Sequence, residues 1–235
     1  MVNLKELGGE TIGMFFIAFI LSFLLINFNP DIGIVYSHMI SLFAFGLVIF
    51  VITQKVPNYS KFWTRPGASW SNTILYLGVA IIAFQLLSGV AFNVFSVESQ
   101  SVFANIQASA PVLSGNDNIQ FATFGWVIPI VESPVFFAIL IDVLLILFLG
   151  NRLLNLKELS SWAIILLVSA AFTIFHLNAK LASGNAALIQ TFIFAVISIV
   201  LVAQTKQMRE MVLFHIFVNS WAVKGLLGLT LFSSI

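Results

Sequence analysis

The chain has 235 residues, 60% of them hydrophobic and only 8% charged, and its formal net charge is +1. With a mean hydropathy of +1.07 it cannot clothe a water-facing surface, because soluble domains carry roughly 25% charged residues. The near-neutral balance leaves no basic footprint for nucleic acid, and the absence of cysteine removes disulfide and thiolate chemistry.

Runs of about 20 mostly apolar residues recur along the whole length, as in a polytopic, all-α membrane helix bundle. Seven spans are expected, at about 8–28, 33–53, 71–95, 121–149, 161–180, 186–204 and 211–233. The start, "MVNLKELGGETIGMFF", lacks a basic n-region and a small-residue cleavage site, so the first span reads as retained rather than as a signal peptide. The second carries His38 in "VYSHMISLF", which has no Asn or second titratable group at helical spacing and reads as structural. The connection "KVPNYSKFWTRPGASW" before the third span combines prolines, aromatics and basic residues, an interfacial composition. Residues 96–120, after the third, are polar and contain no Lys or Arg. No repeat, low-complexity tract or soluble domain interrupts the chain, and residues 1–235 read as a single integral membrane domain.

Basic residues set the expected orientation. A cytoplasmic N-terminus places Lys5, Lys55, Lys61, Arg65, Arg152, Lys157, Lys206 and Arg209 on that side, and leaves only Lys180 opposite. This is the positive-inside pattern, with Lys224 falling inside the last span.

Titratable side chains within spans are costly and mark functional candidates. Here they are His38, Glu132, Asp142, His176, His215 and Lys224. The fourth span, "WVIPIVESPVFFAILIDVLLILF", sets Glu132 between Pro129 and Pro134, so a kink or break is expected beside a candidate general base. A Glu hydrogen-bonded to a neighbouring helix for packing is the alternative use. In "SAAFTIFHLNAK", Phe172 and His176 share a helix face at i,i+4, an arrangement more often found with a satisfied core histidine than with a catalyst. The seventh span, "LFHIFVNSWA", puts His215 and Asn219 one turn apart on one face. Two aligned donors suit a developing oxyanion, and they equally suit hydrogen bonds between helices. Asp142 and Lys224 can each be satisfied by reaching an interface or pairing with a neighbour.

Taken in order, these segments resemble the three motifs of the CPBP family of intramembrane proteases, E-E-x-x-x-R, F-x-x-x-H and H-x-x-x-N. That family includes the type II CAAX prenyl endopeptidases and bacteriocin-processing enzymes. "FTIFH" (Phe172 to His176) is similar to the second motif and "HIFVN" (His215 to Asn219) to the third. The likeness covers about 121–222, with the first three spans outside it. In the first motif Glu132 matches the leading Glu, while Ser133 stands at the second Glu and Phe137 at the Arg. One negative and one positive position are lost together, so no charge is stranded.

The resemblance implies a glutamate-dependent endopeptidase acting on a peptide or protein substrate at the membrane. In it Glu132, assisted by His176, activates a water, and His215 and Asn219 hold the oxyanion. It also implies no cofactor and no metal, although Glu132, His176 and His215 form a two-His, one-carboxylate set of the kind that binds zinc or iron. No H-E-x-x-H motif accompanies that set. The alternative is a non-catalytic scaffold or accessory subunit of a membrane complex, in which Glu132 pairs with Lys224 and His176 bonds a backbone carbonyl. A transporter fits less well, since no internal repeat or pair of broken helices is seen. Catalysis demands that the four side chains converge. Counting about 1.5 Å per residue along straight helices sets Glu132, His176 and Lys224 at one depth and His215 shallower.

Overall fold

The computed structural model describes residues 8–28, scattered helical residues between 40 and 51, 69–94, most of 126–149, 154–177 and 185–224. Among the described residues the chain is all-helical, with seven helices. They are α1 (Gly8–Phe28), α2 (Trp70–Val94), α3 (Ile128–Pro134), α4 (Leu140–Leu149), α5 (Leu159–Phe175), α6 (Asn185–Thr205) and α7 (Arg209–Lys224). Trp70–Val94 and Ala187–Thr205 are long and apolar enough to cross a membrane, and Leu159–Phe175 is a shorter apolar helix. His38 and Lys180 lie outside the described residues, as do the side chains of Asp142 and Lys224.

The surface is inverted relative to a water-soluble protein. On α2, Ile74, Val79, Ile82, Leu86 and Val90 are exposed, while Thr73, Ala80 and Ser88 are buried with Phe84 and Phe92. Small and weakly polar residues facing inward let helix backbones approach closely, and large apolar residues facing outward meet lipid. Several hydroxyls satisfy themselves locally, while those of Ser22, Ser88 and Ser198 are buried without a hydrogen-bond partner among the described residues. Ser169, Thr173, Thr191 and Thr205 each donate to the carbonyl four residues back, at 2.7–2.8 Å.

Helix α6 is the hub, packed on α2, α5 and α7, while α7 also packs on α2 and α3. Ala195 and Ile199 on α6 are fully buried. Around them gathers an aromatic core of Phe136, Phe137, Phe172, Phe175, Phe194 and Phe214. Phe136 meets Phe172 and Phe175 edge-on, with centroids 5.1 and 4.8 Å apart, and Phe19 of α1 closes on both Phe136 and Phe175 at 5.4 Å. In lipid, where burial itself drives little association, such contacts stabilise by dispersion and edge-to-face electrostatics, about 0.5–1.5 kcal/mol per pair.

The fourth expected span is described as two α-helical stretches, α3 and α4. Pro129 sits in the first turn of α3, where its missing N–H costs nothing, whereas Pro134 cannot donate to Ile130 and removes one bond from the helical ladder. Wider, π-type turns flank α3 at Trp126–Val127 and Phe136–Phe137. The end of the fifth expected span, 178–180, lies outside the described residues. Helix α5 stops at Phe175, and His176 caps it with φ −98° and ψ 11°, outside helical geometry.

A polar knot anchors α7. Lys206 takes a left-handed φ of 58° between α6 and α7 and donates to the Leu154 carbonyl at 3.0 Å. Glu210, fully buried in the first turn of α7, accepts at Oε1 from Thr73 (2.8 Å), Gln207 (2.7 Å) and Arg209 (3.0 Å). Arg209 also donates to Thr73 Oγ1 and lies 4.6 Å over the Trp70 ring. The knot joins the first turns of α2 and α7 and so sets the axial position of everything further along α7.

Candidate active site

Glu132 lies on the short helix α3, 4% exposed, and His176 at the end of α5 is 9% exposed. Glu132 Oε1 stands 3.7 Å from His176 Nε2. The other ring nitrogen, Nδ1, is 2.9 Å from the Phe172 carbonyl. A carbonyl can only accept, so Nδ1 carries a proton, and in the neutral ring the Nε2 lone pair is the one turned toward the carboxyl group. This bond also satisfies a carbonyl in the last turn of α5 that has no partner within the helix. The ring is held between Phe172 and Phe175, with centroids at 4.6 and 5.3 Å. His176 thus bonds a backbone carbonyl, as a scaffold would have it, and faces Glu132, as a peptidase would.

The second histidine reaches the same region from α7. His215 is 3% exposed, and its Nδ1 is 3.0 Å from Ser133 Oγ, on the residue next to Glu132. Its ring lies 4.6 Å from that of Phe194 and 6.2 Å from that of Phe172. Phe172 therefore stands between the two histidines. The shallow depth counted for His215 on straight helices does not hold it apart from α3. Asn219 follows one turn later on α7 and is half-buried. Four residues of helix advance about 6 Å and return to within about 40° of the same face. Glu132, His176 and His215 are thus gathered around Phe172 and Ser133, and Asn219 continues the His215 face.

Ser133 and Phe137 acquire definite surroundings. Phe137 is fully buried against Phe172 at 5.0 Å and Phe194 at 6.2 Å, a setting with no room for an unpaired charge. Ser133, equally buried, is the partner of His215. The sequence marks Ser133 only as a departure from an acidic pattern. Its adjacency to Glu132 was the available signal. Phe194, which packs on His215, gives no signal at all among the many phenylalanines. Among the described residues, no group of three His, Asp or Glu side chains is arranged to hold a metal ion.

An all-helical bundle with lipid-compatible faces and buried Glu–His and Ser–His contacts defines a membrane protein with a polar centre. Residues 115–221, from ahead of α3 into the last turn of α7, match the family model described as type II CAAX prenyl endopeptidase Rce1-like. The match supports membership of the CPBP family and a CAAX-type intramembrane protease fold. No curated protein and no solved structure matches the chain.

Proposed function

We propose that the protein is a multi-pass membrane endopeptidase in which Glu132 is the general base. The observation that carries this reading is the 3.7 Å approach of Glu132 Oε1 to His176 Nε2, with His176 Nδ1 committed to Phe172. At that separation the two groups are too far apart for a direct hydrogen bond and close enough for one water to bond both. Glu132 takes a proton from this water as its oxygen attacks the scissile carbonyl carbon. The carbonyl electron pair moves onto oxygen, where His215 and Asn219 donate hydrogen bonds. When the tetrahedral intermediate collapses, the C–N bond breaks and the proton held by Glu132 and His176 passes to the leaving amine. Each oxyanion donor supplies about 3 kcal/mol, or a hundredfold or more in rate.

The substrate class is a protein or peptide presented at the membrane, as the Rce1-like family implies. The basic-residue pattern supports a cytoplasmic N-terminus, and the continuous run of apolar segments supports a single integral domain over residues 1–235. One alternative has a specific observation behind it. Ser133 and Phe137 leave the first motif without its second acid and its base, which suits a scaffold that keeps the fold and has lost turnover. Purified protein in liposomes, given internally quenched peptides with and without a prenylated C-terminus, separates the two. The peptidase reading expects cleavage that falls about a thousandfold in Glu132→Gln with the fold retained. Cleavage indifferent to that substitution refutes the assigned base.

A further inference from the structure

Four side-chain hydroxyls in these helices share one habit. Ser169, Thr173, Thr191 and Thr205 all give their proton to the carbonyl four residues back. Ser133 does not. Its hydrogen bond runs 3.0 Å across to His215 Nδ1, and it is fully buried. Two proton arrangements fit that distance. If His215 Nδ1–H donated, the Ser133 hydroxyl proton would be left without an acceptor at a fully buried position, a cost of about 1–3 kcal/mol. If Ser133 donates, both atoms are satisfied. A neutral imidazole that accepts at Nδ1 carries its proton on Nε2.

We propose that Ser133 is a positioning residue whose hydroxyl donates to His215 Nδ1 and so fixes His215 as the Nε2–H tautomer, a neutral hydrogen-bond donor. The inference rests on the peptidase reading for its purpose and on hydrogen bonding alone for its substance. An oxyanion needs a donor, and a histidine with its proton on Nδ1 would present a lone pair at Nε2 instead. The residue type at 133 decides this. A carboxylate there would accept from His215 and draw a proton onto Nδ1, giving either the opposite tautomer or an imidazolium. Serine leaves His215 uncharged beside Phe194 and Phe172. Phe137, also against those two rings, completes an apolar wall that suits the neutral form.

The assignment is readable without substrate. Full-length protein labelled with 15N-histidine is placed in bilayers, and the His215 signals are identified by their disappearance in His215→Gln. The expected spectrum has an unprotonated Nδ1 and a protonated Nε2, collapses to a tautomer mixture in Ser133→Ala, and recovers in Ser133→Thr. A proton on Nδ1 in the wild type overturns the proposal. On cleavage, Ser133→Ala is expected to lower kcat about tenfold, the worth of one hydrogen bond, with KM unchanged and Thr restoring the rate. A covalent adduct of a fluorophosphonate on Ser133 also overturns it, since Ser133 would then be a nucleophile. The expected spectrum with no cleavage of any peptide refutes the peptidase reading and upholds the tautomer assignment.

Discussion

Glu210 offers the sharpest test of how the site is held in place. It lies five residues before His215 on α7, and its side chain is 1% exposed. Oε1 gathers donors from Thr73, Gln207 and Arg209, whereas Oε2 is buried and has no hydrogen-bond partner. Glu210→Ala removes the shared acceptor and strands Arg209, whose side chain is 10% exposed. Breaking one side of a buried pair costs about 3–5 kcal/mol. For a chain of this size that is a fall in Tm of roughly 10 °C. Glu210→Gln keeps the Oε1 acceptor and places an amide where Oε2 had no donor to lose. It loses the charge attraction to Arg209 and buries an amide donor, but it strands no charge, so its loss is expected to be smaller than that of Glu210→Ala. Thermal unfolding of purified protein in detergent, read by intrinsic tryptophan fluorescence, separates the two variants. Equal losses in Ala and Gln, or an Ala variant within about 1 kcal/mol of wild type, would refute the account of the knot.

Asn219→Ala is expected to lower kcat about a hundredfold or more with KM little changed, because an oxyanion donor acts only in the transition state; steady-state kinetics with a loss confined to KM would contradict this. Phe137→Arg alone should lower Tm sharply by setting a cation among Phe172 and Phe194, and adding Ser133→Glu should recover part of the loss. Tm values from the double-mutant cycle report that coupling, and additive losses would argue against it. Reporters fused to the two ends should map to opposite faces of the membrane with the N-terminus cytoplasmic; both on one side would mean an even number of spans.

Much of the helix framework is legible in the sequence. The expected spans at 8–28, 71–95 and 186–204 differ by no more than one residue from Gly8–Phe28, Trp70–Val94 and Asn185–Thr205. Apolar length is a strong signal when every backbone polar group must be satisfied within its own segment. The failures have local causes. Arg209 and Glu210 look like the end of a loop, so α7 was expected to start at 211, but the buried knot with Thr73 extends it back to Arg209. His176 leaves helical geometry as its ring bonds the Phe172 carbonyl, an event that apolar counting cannot register. Depth counting takes the fourth span as a straight α-helix, whereas π-type turns flank the stretch that carries Glu132. Ser133 and Phe137 were read as losses because a motif states which residues are expected, and contacts across helices decide what the replacements do.

The two histidines show how one residue type is given opposite tasks. Each has its Nδ1 engaged by a group on the protein, and in both cases the partner's chemistry decides the proton. The Phe172 carbonyl can only accept, so His176 holds its proton on Nδ1 and offers a lone pair at Nε2, toward Glu132. The Ser133 hydroxyl, with no helical carbonyl taking its proton, donates, so His215 offers an N–H at Nε2. One imidazole is thereby suited to share a proton with a base, and the other to give a hydrogen bond to a developing negative charge. Neither assignment needs a charged ring, which matters where the neighbours are Phe172, Phe175 and Phe194 and an unpaired imidazolium would be costly. An acid at 133 calls for a cation nearby; a hydroxyl does not, and Phe137 is then free to pack where a charge would otherwise have stood. The paired departure at 133 and 137 is therefore a single change in how the site is kept neutral.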